Sequence, residues 1–133
     1  MNGNPPCDMY LLTVNPRREL VHLVYAGHVN GDETKRCRVE IEALLPSLKP
    51  GFRLLTDLSG LEEMDYACAE DIALVMDELR KFGISHVIRV IPDHKKDIGL
   101  TVMSYFHYGR NVKVQTVKSL AEALKALESR FGT

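Results

Sequence analysis

The sequence predicts a single α/β domain over residues 8–131, built on one mixed, mostly parallel sheet of five strands with four helices in the order β-β-α-β-α-β-α-β-α. Three observations carry that expectation. Apolar residues switch repeatedly along the chain between short strand-like runs and helical spacing. Two β-rich runs flank Asn15-Pro16-Arg17-Arg18, where Pro16 suits the second position of a turn, so the first two strands form an antiparallel hairpin. The later strands are separated by helical segments of about 10 to 15 residues, which calls for right-handed crossovers and parallel pairing.

The elements follow in order. Residues 1–7, with Asn, Gly and two Pro, read as a disordered lead. Asp8 to Val14 and Glu19 to Ala26 make the hairpin. Past Gly27, Cys37, Ile41, Leu44 and Leu45 fall at i, i+4, i+7 and i+8, an amphipathic helix with Asp32 or Thr34 available as its cap. Pro46 and Pro50 end or kink it. Phe52 to Leu58 is mostly apolar, as in a buried parallel strand. Ala69, Ile72, Ala73, Met76 and Leu79 share one face of a second helix, with Gly83 placed to close it. His86 to Ile91 is another apolar strand, closed by Pro92. Ile98, Val102, Met103 and Phe106 mark a third helix ending at Gly109, and Val112 and Val114 alternate as a last strand. Ser119 and Glu122 form a capping box for the fourth helix, whose apolar stripe is Leu120, Leu124, Leu127 and Phe131. The core expected from the central strands is Leu54, Leu55, Val87, Ile88, Val90 and Ile91.

Composition narrows the function classes. The chain has 133 residues, 45% of them hydrophobic and 26% charged, enough to bury about two thirds of its unfolded surface without disulfides or a structural metal. Seventeen Lys and Arg against eighteen Asp and Glu give a net charge of -1, without the basic excess that nucleic-acid binding uses. No apolar run approaches the roughly 20 residues of a membrane span. The N-terminus MNGNPPCDMY lacks the features of a signal peptide, so a cytoplasmic protein is expected. Cys7, Cys37 and Cys68 show neither CxxC nor Cys/His ligand spacing, as in a protein with reduced thiols and no zinc. His22, His28, His86, His94 and His107 are scattered, none at i, i+4 from another, and no metal or cofactor is expected. His94-Lys95-Lys96 gives the third helix a basic start, either a solvated face or a place where an anion could meet backbone amides. No nucleophile elbow, phosphate-cradling Gly-rich loop, or Cys or Ser with a local His partner is present, so the chain reads as non-catalytic.

One segment carries a family resemblance. Leu54-Leu55-Thr56-Asp57-Leu58-Ser59-Gly60-Leu61-Glu62-Glu63-Met64-Asp65 resembles the central motif of STAS domains, the anti-sigma factor antagonist fold. In that family a strand ending in Asp-Leu-Ser-Gly leads through a short loop to an Asp opening the next helix. The similarity extends over residues 8–128, including Leu23 to Gly27 and the closing Val117 to Leu124. The resemblance implies a bacterial signal-transduction module without catalysis or cofactor. Its partner would be a protein, an anti-sigma-type serine kinase or a sensory assembly, met through the loop and helix after the motif; a homodimer stays open. Phosphorylated members carry Asp-Ser-Ser-Gly at the helix start, with the second Ser as acceptor. The matching residues here are Asp65-Tyr66-Ala67-Cys68, and Ala67 has no hydroxyl, so the phosphorylation switch does not carry over to it. A phosphate there would meet free backbone N–H groups and the positive end of the helix dipole.

The partner-binding residues implied are Asp57, Ser59, Asp65, Tyr66, Ala67, Cys68 and Glu70. Read by themselves, several have plainer roles. Asp65 suits a helix N-cap. Cys68 in the first helical turn is either a small core residue or a thiol activated by the dipole. Tyr66 is a surface aromatic or a partner anchor. Glu62, Glu63, Asp65, Glu70 and Asp71 cluster as an acidic docking rim, and Lys81 lies farther along the same helix. A second class remains: the architecture is shared with lipid-binding CRAL-TRIO domains, in which Met103, Tyr105, Phe106 and Tyr108 would line an apolar ligand pocket, although core packing also explains them.

Overall fold

The computed structural model describes residues 9–93 and 99–131. The expected lead, Cys7, Asp8, the His94-Lys95-Lys96 run and Ile98 lie outside the described residues.

β1 (Met9–Asn15) and β2 (Leu20–Val29) form the antiparallel hairpin, paired from Met9 opposite Ala26 to Asn15 opposite Leu20. A 3-10 turn over Pro16–Arg18 joins them, with Pro in its first turn. The remaining elements are α1 (Gly31–Leu44), β3 (Arg53–Asp57), β4 (Leu61–Met64), α2 (Cys68–Lys81), β5 (His86–Val90), α3 (Leu100–His107), β6 (Lys113–Val117) and α4 (Leu120–Phe131). The sheet runs β1-β2-β3-β5-β6, parallel from β2 onward, and β4 lies parallel to the end of β2. Among the described residues no helix is long and apolar enough to cross a membrane.

The sheet therefore has six strands and not the expected five. Ten-residue β2 outruns five-residue β3, which leaves the backbone of Gly27–Val29 unpaired on that side. The chain turns after Asp57 and re-enters beside it as β4. Two adjacent glutamates in Leu-Glu-Glu-Met hide this strand from a hydrophobic pattern.

Alternation along the central strands divides the core. Val21, Leu23, Leu54, Val87 and Ile91 pack with Cys37 and Ile41 of α1, Met76 and Leu79 of α2, and Leu100 and Tyr108 around α3. Leu55, Ile88 and Val90 turn the other way, onto Ala123 and Leu127 of α4. All six expected core residues are buried, and each such aliphatic side chain contributes about 1.5–3 kcal/mol of hydrophobic free energy.

Several local expectations change. α1 is capped by Asn30, whose side chain accepts from the Glu33 N–H at 3.0 Å while the Glu33 carboxylate accepts from the Asn30 N–H at 2.9 Å. Asp32 and Thr34, each able to cap in principle, lie inside the helix, two and four residues past the cap. In α2, Met76 and Leu79 face the core but Ala69 is exposed. In α4 Ser119 caps the helix, its hydroxyl accepting from the Glu122 N–H at 3.1 Å and donating to the Glu122 carboxylate at 3.2 Å. There the buried row is Ala123 and Leu127, while Leu120 and Leu124 are partly exposed. Gly83 closes α2 with φ 94°, and a Cβ there would stand 2.9 Å from Cβ of Pro50. Both conformation and space require glycine at that position.

Candidate functional site

The motif segment begins where β3 ends. The Asp57 carboxylate accepts from the backbone N–H of Ser59 at 2.9 Å and from its hydroxyl at 2.6 Å, an Asx turn. The Gly60 carbonyl then accepts from the Gly27 N–H at 2.9 Å, which fastens the turn to the last part of β2. Asp57 and Ser59 thus hold each other, and their polar atoms organise this turn.

β4 carries the chain upward beside β2, with His28 opposite Glu63 in the register. Asp65 follows two residues later, so both acids stand on the same side of the strand as His28. His28 Nε2 lies 2.6 Å from an Asp65 oxygen and its Nδ1 lies 3.9 Å from Glu63. The Asp65 N–H donates to the Val29 carbonyl at 3.0 Å. Here the expected N-cap role fails: α2 begins after Ala67, and no side chain caps it. The Asp65 carboxylate is turned across to β2, and only its backbone carbonyl serves the helix, accepting from the Cys68 N–H at 3.0 Å. Among the described residues, His28, Glu63 and Asp65 are the group able to offer a metal three ligand atoms within 4.8 Å of one another. Scattered histidines hid this group, because cross-strand register brings it together.

Between Asp65 and the helix, Tyr66 is 99% exposed. Ala67 is exposed and stands close to α1, since a Cβ on Gly31 would lie 3.0 Å from its Cβ. Cys68 is fully buried, its thiol 3.5 Å from the Val29 carbonyl. Burial pushes that thiol up, the reverse of the activation that the first turn of a helix gives an exposed cysteine. It packs as a core residue. Glu62, Glu63, Ala69 and Glu70 are exposed around Tyr66, and Lys81 is exposed at the far end of α2. Asp71 is drawn inward by Arg38, whose Nε donates to it at 2.7 Å and ties α2 to α1.

A cleft of about 310 Å³ opens beside this surface, lined by Met64, Tyr66, Ile72, Leu100 and Met103 among others. Of the four residues considered for an apolar pocket, Met103 lines it. Tyr108 is buried in the core, and Tyr105 and Phe106 point to solvent.

No protein-family model matches the chain. Solved structures do. An uncharacterised protein of the DUF3478 family from Shewanella loihica, with a SpoIIAA-like fold, superposes with a TM-score of 0.68 at 15% identity, over 96% of this chain and 98% of that one. The unphosphorylated anti-sigma factor antagonist SpoIIAA gives 0.64 at 15% identity, over 90% and 97%. An anti-sigma factor antagonist from Mycobacterium paratuberculosis gives 0.58 at 19% identity, over 91% and 96%. The strand order, the hairpin entry and these superpositions over nearly whole chains establish a STAS-like, SpoIIAA-like fold for this protein.

Proposed function

We propose that the chain is a non-catalytic regulatory module that docks on a partner protein through the segment from Ser59 to Glu70, in the cytoplasm. The observation that carries this reading is Tyr66, 99% exposed within a rim of Glu62, Glu63 and Glu70. An aromatic with no packing role in its own fold is costly to leave in water and effective as an anchor in an interface. The acidic rim favours a basic face on the partner. Likeness to anti-sigma factor antagonists supports a kinase of the anti-sigma type, or a sensory assembly, as the class of partner. Affinity capture from the native extract, repeated with Tyr66→Ala, tests the reading. The substitution is expected to weaken capture by about tenfold or more while the melting temperature stays put. Undiminished capture by a folded variant would count against it.

The module works without phosphate at the family's acceptor position. Phosphoryl transfer needs a hydroxyl, and Ala67 supplies a methyl group. The Tyr66 hydroxyl is displaced by a longer side chain and one residue, and positioning supplies much of the catalysis. Incubation with the captured kinase and ATP is expected to leave the intact mass unchanged. A phosphate mapped to Ser59 or Tyr66, with loss of binding, would show that the switch has moved.

A second reading rests on the apolar cleft between α2 and α3, whose volume lies at the lower end for small-molecule sites. Native mass spectrometry of the freshly purified protein tests it: a retained apolar ligand, lost in Met103→Glu, would favour it over docking alone.

A further inference from the structure

β6 carries a second, independent surface. It pairs with β5 alone, so its outer edge is open among the described residues. The Lys113 N–H donates to the Ser85 carbonyl at 3.0 Å, and the Val117 carbonyl accepts from the Ile91 N–H at 2.8 Å. Backbone groups alternate along a strand, so residues 113, 115 and 117 serve β5 while Val114 and Thr116 turn theirs outward. The side chains of Val114 and Thr116 also line a cleft of about 280 Å³, closed on the other side by Ser104 and Tyr105 of α3. On the same helix Tyr105 and Phe106 are 72% and 74% exposed, in edge-to-face contact with ring centroids 5.6 Å apart. From Gly109 to Ser119 the sequence has Arg110, Lys113 and Lys118 and no acidic residue, and all three cations are exposed.

An open backbone edge, an apolar slot alongside it and a positive fringe are the parts of a strand-addition site. We propose that the β6 edge receives an extended acidic segment of a partner protein, which adds as a seventh strand beside the present six. Its apolar residues enter the slot between Val114 and Tyr105, and its carboxylates meet Arg110, Lys113 and Lys118. This surface shares no residue with the docking loop around Tyr66, so the two proposals stand or fall separately.

The test uses the whole 133-residue chain and an array of eight-residue peptides alternating Glu with Val, Ile, Leu or Phe, beside a matching array with Lys for Glu. Fluorescence anisotropy is expected to show saturable binding of Glu peptides and none of Lys peptides. Val114→Pro deletes an outward N–H that the fold does not use, a change edge strands tolerate, and is expected to weaken binding by about three- to tenfold. Lys113→Glu with Lys118→Glu is expected to abolish it, and Tyr66→Ala to leave it unchanged. Circular dichroism checks that each variant is folded. Absence of saturable binding across the Glu array overturns the proposal, as does binding that folded Val114→Pro leaves intact. Concentration-dependent dimerisation in sedimentation, abolished by Val114→Pro, would assign the edge to a second copy instead.

Discussion

Burial and the helix dipole pull the Cys68 thiol in opposite directions, and burial wins. The first turn of α2 offers free N–H groups and positive potential, which stabilise a thiolate. A fully buried sulfur surrendering its proton loses hydration that those groups do not replace, so its pKa rises. Cys37 is also fully buried and is pushed up from 9.0 to about 11. Iodoacetamide at pH 8 is therefore expected to spare both residues in the native protein and modify them once urea unfolds it, read by peptide mass mapping. Modification of native Cys68 at the rate of an unfolded thiol would restore a redox role. The pairing of His28 with Asp65 is a smaller matter, because both side chains are nearly half exposed. His28→Ala is expected to cost less than about 1 kcal/mol, yet to raise hydrogen exchange in the segment from Asp65 to Cys68. Equal exchange rates would mean that backbone bonds alone hold that loop. These roles were only half legible in the sequence. Aspartate before a helix reads as a cap, and nothing local announces that a histidine 37 residues earlier claims its carboxylate.

Elements whose patterns are set by burial on one or both faces were legible; those set by a neighbour's length were not. The apolar pairs Leu54-Leu55 of β3 and Val87-Ile88 of β5 stand out in the sequence because side chains on both faces of the sheet are buried there. β4 exists because β2 is long, a fact that resides outside its own four residues. α4 shows a third case: its cap was readable from Ser119 and Glu122, but the side facing the sheet is set by the rotation of the helix against the sheet, which buries Ala123 and Leu127 and leaves Leu120 and Leu124 partly exposed. The consequences are measurable. Leu55 is 2% exposed between the central sheet and α4, and Leu55→Ala is expected to cost about 2–5 kcal/mol in denaturant unfolding. Leu124→Ala on the same side of the molecule is expected to cost less than about 1 kcal/mol. Equal losses would mean that α4 is rotated about its axis. Gly83→Ala is expected to be destabilising by about 1–3 kcal/mol, since it forces a left-handed φ on an L residue and presses against Pro50.

At the scale of the whole molecule, covering one sheet with helices on both faces leaves several weak acids inside the protein. Tyr25, Cys37, Cys68 and Tyr108 are all buried. In each case burial is the main reason that the neutral form is favoured. Cys37 moves from 9.0 to about 11 and Tyr108 from 10.0 to about 12. The sign follows from proton binding: above about pH 9 the unfolded chain releases protons that the folded chain still holds, so unfolding is increasingly favoured as pH rises. The stabilisation is complete below the unfolded values and is lost as pH climbs through the folded ones. A two-unit separation at Cys37 corresponds to about 3 kcal/mol by the time its folded value is passed, a large share of the stability of a domain this size. Urea denaturation at a series of pH values is therefore expected to give a nearly constant free energy between pH 7 and 8.5 and a steady decline from about 9 to 11. Cys37→Ala removes one of the groups responsible, so it should begin less stable, because a buried sulfur is deleted, and then decline with a shallower slope. A wild-type profile flat to pH 11, or a variant with the same slope, would mean that these groups ionise in place without opening the core.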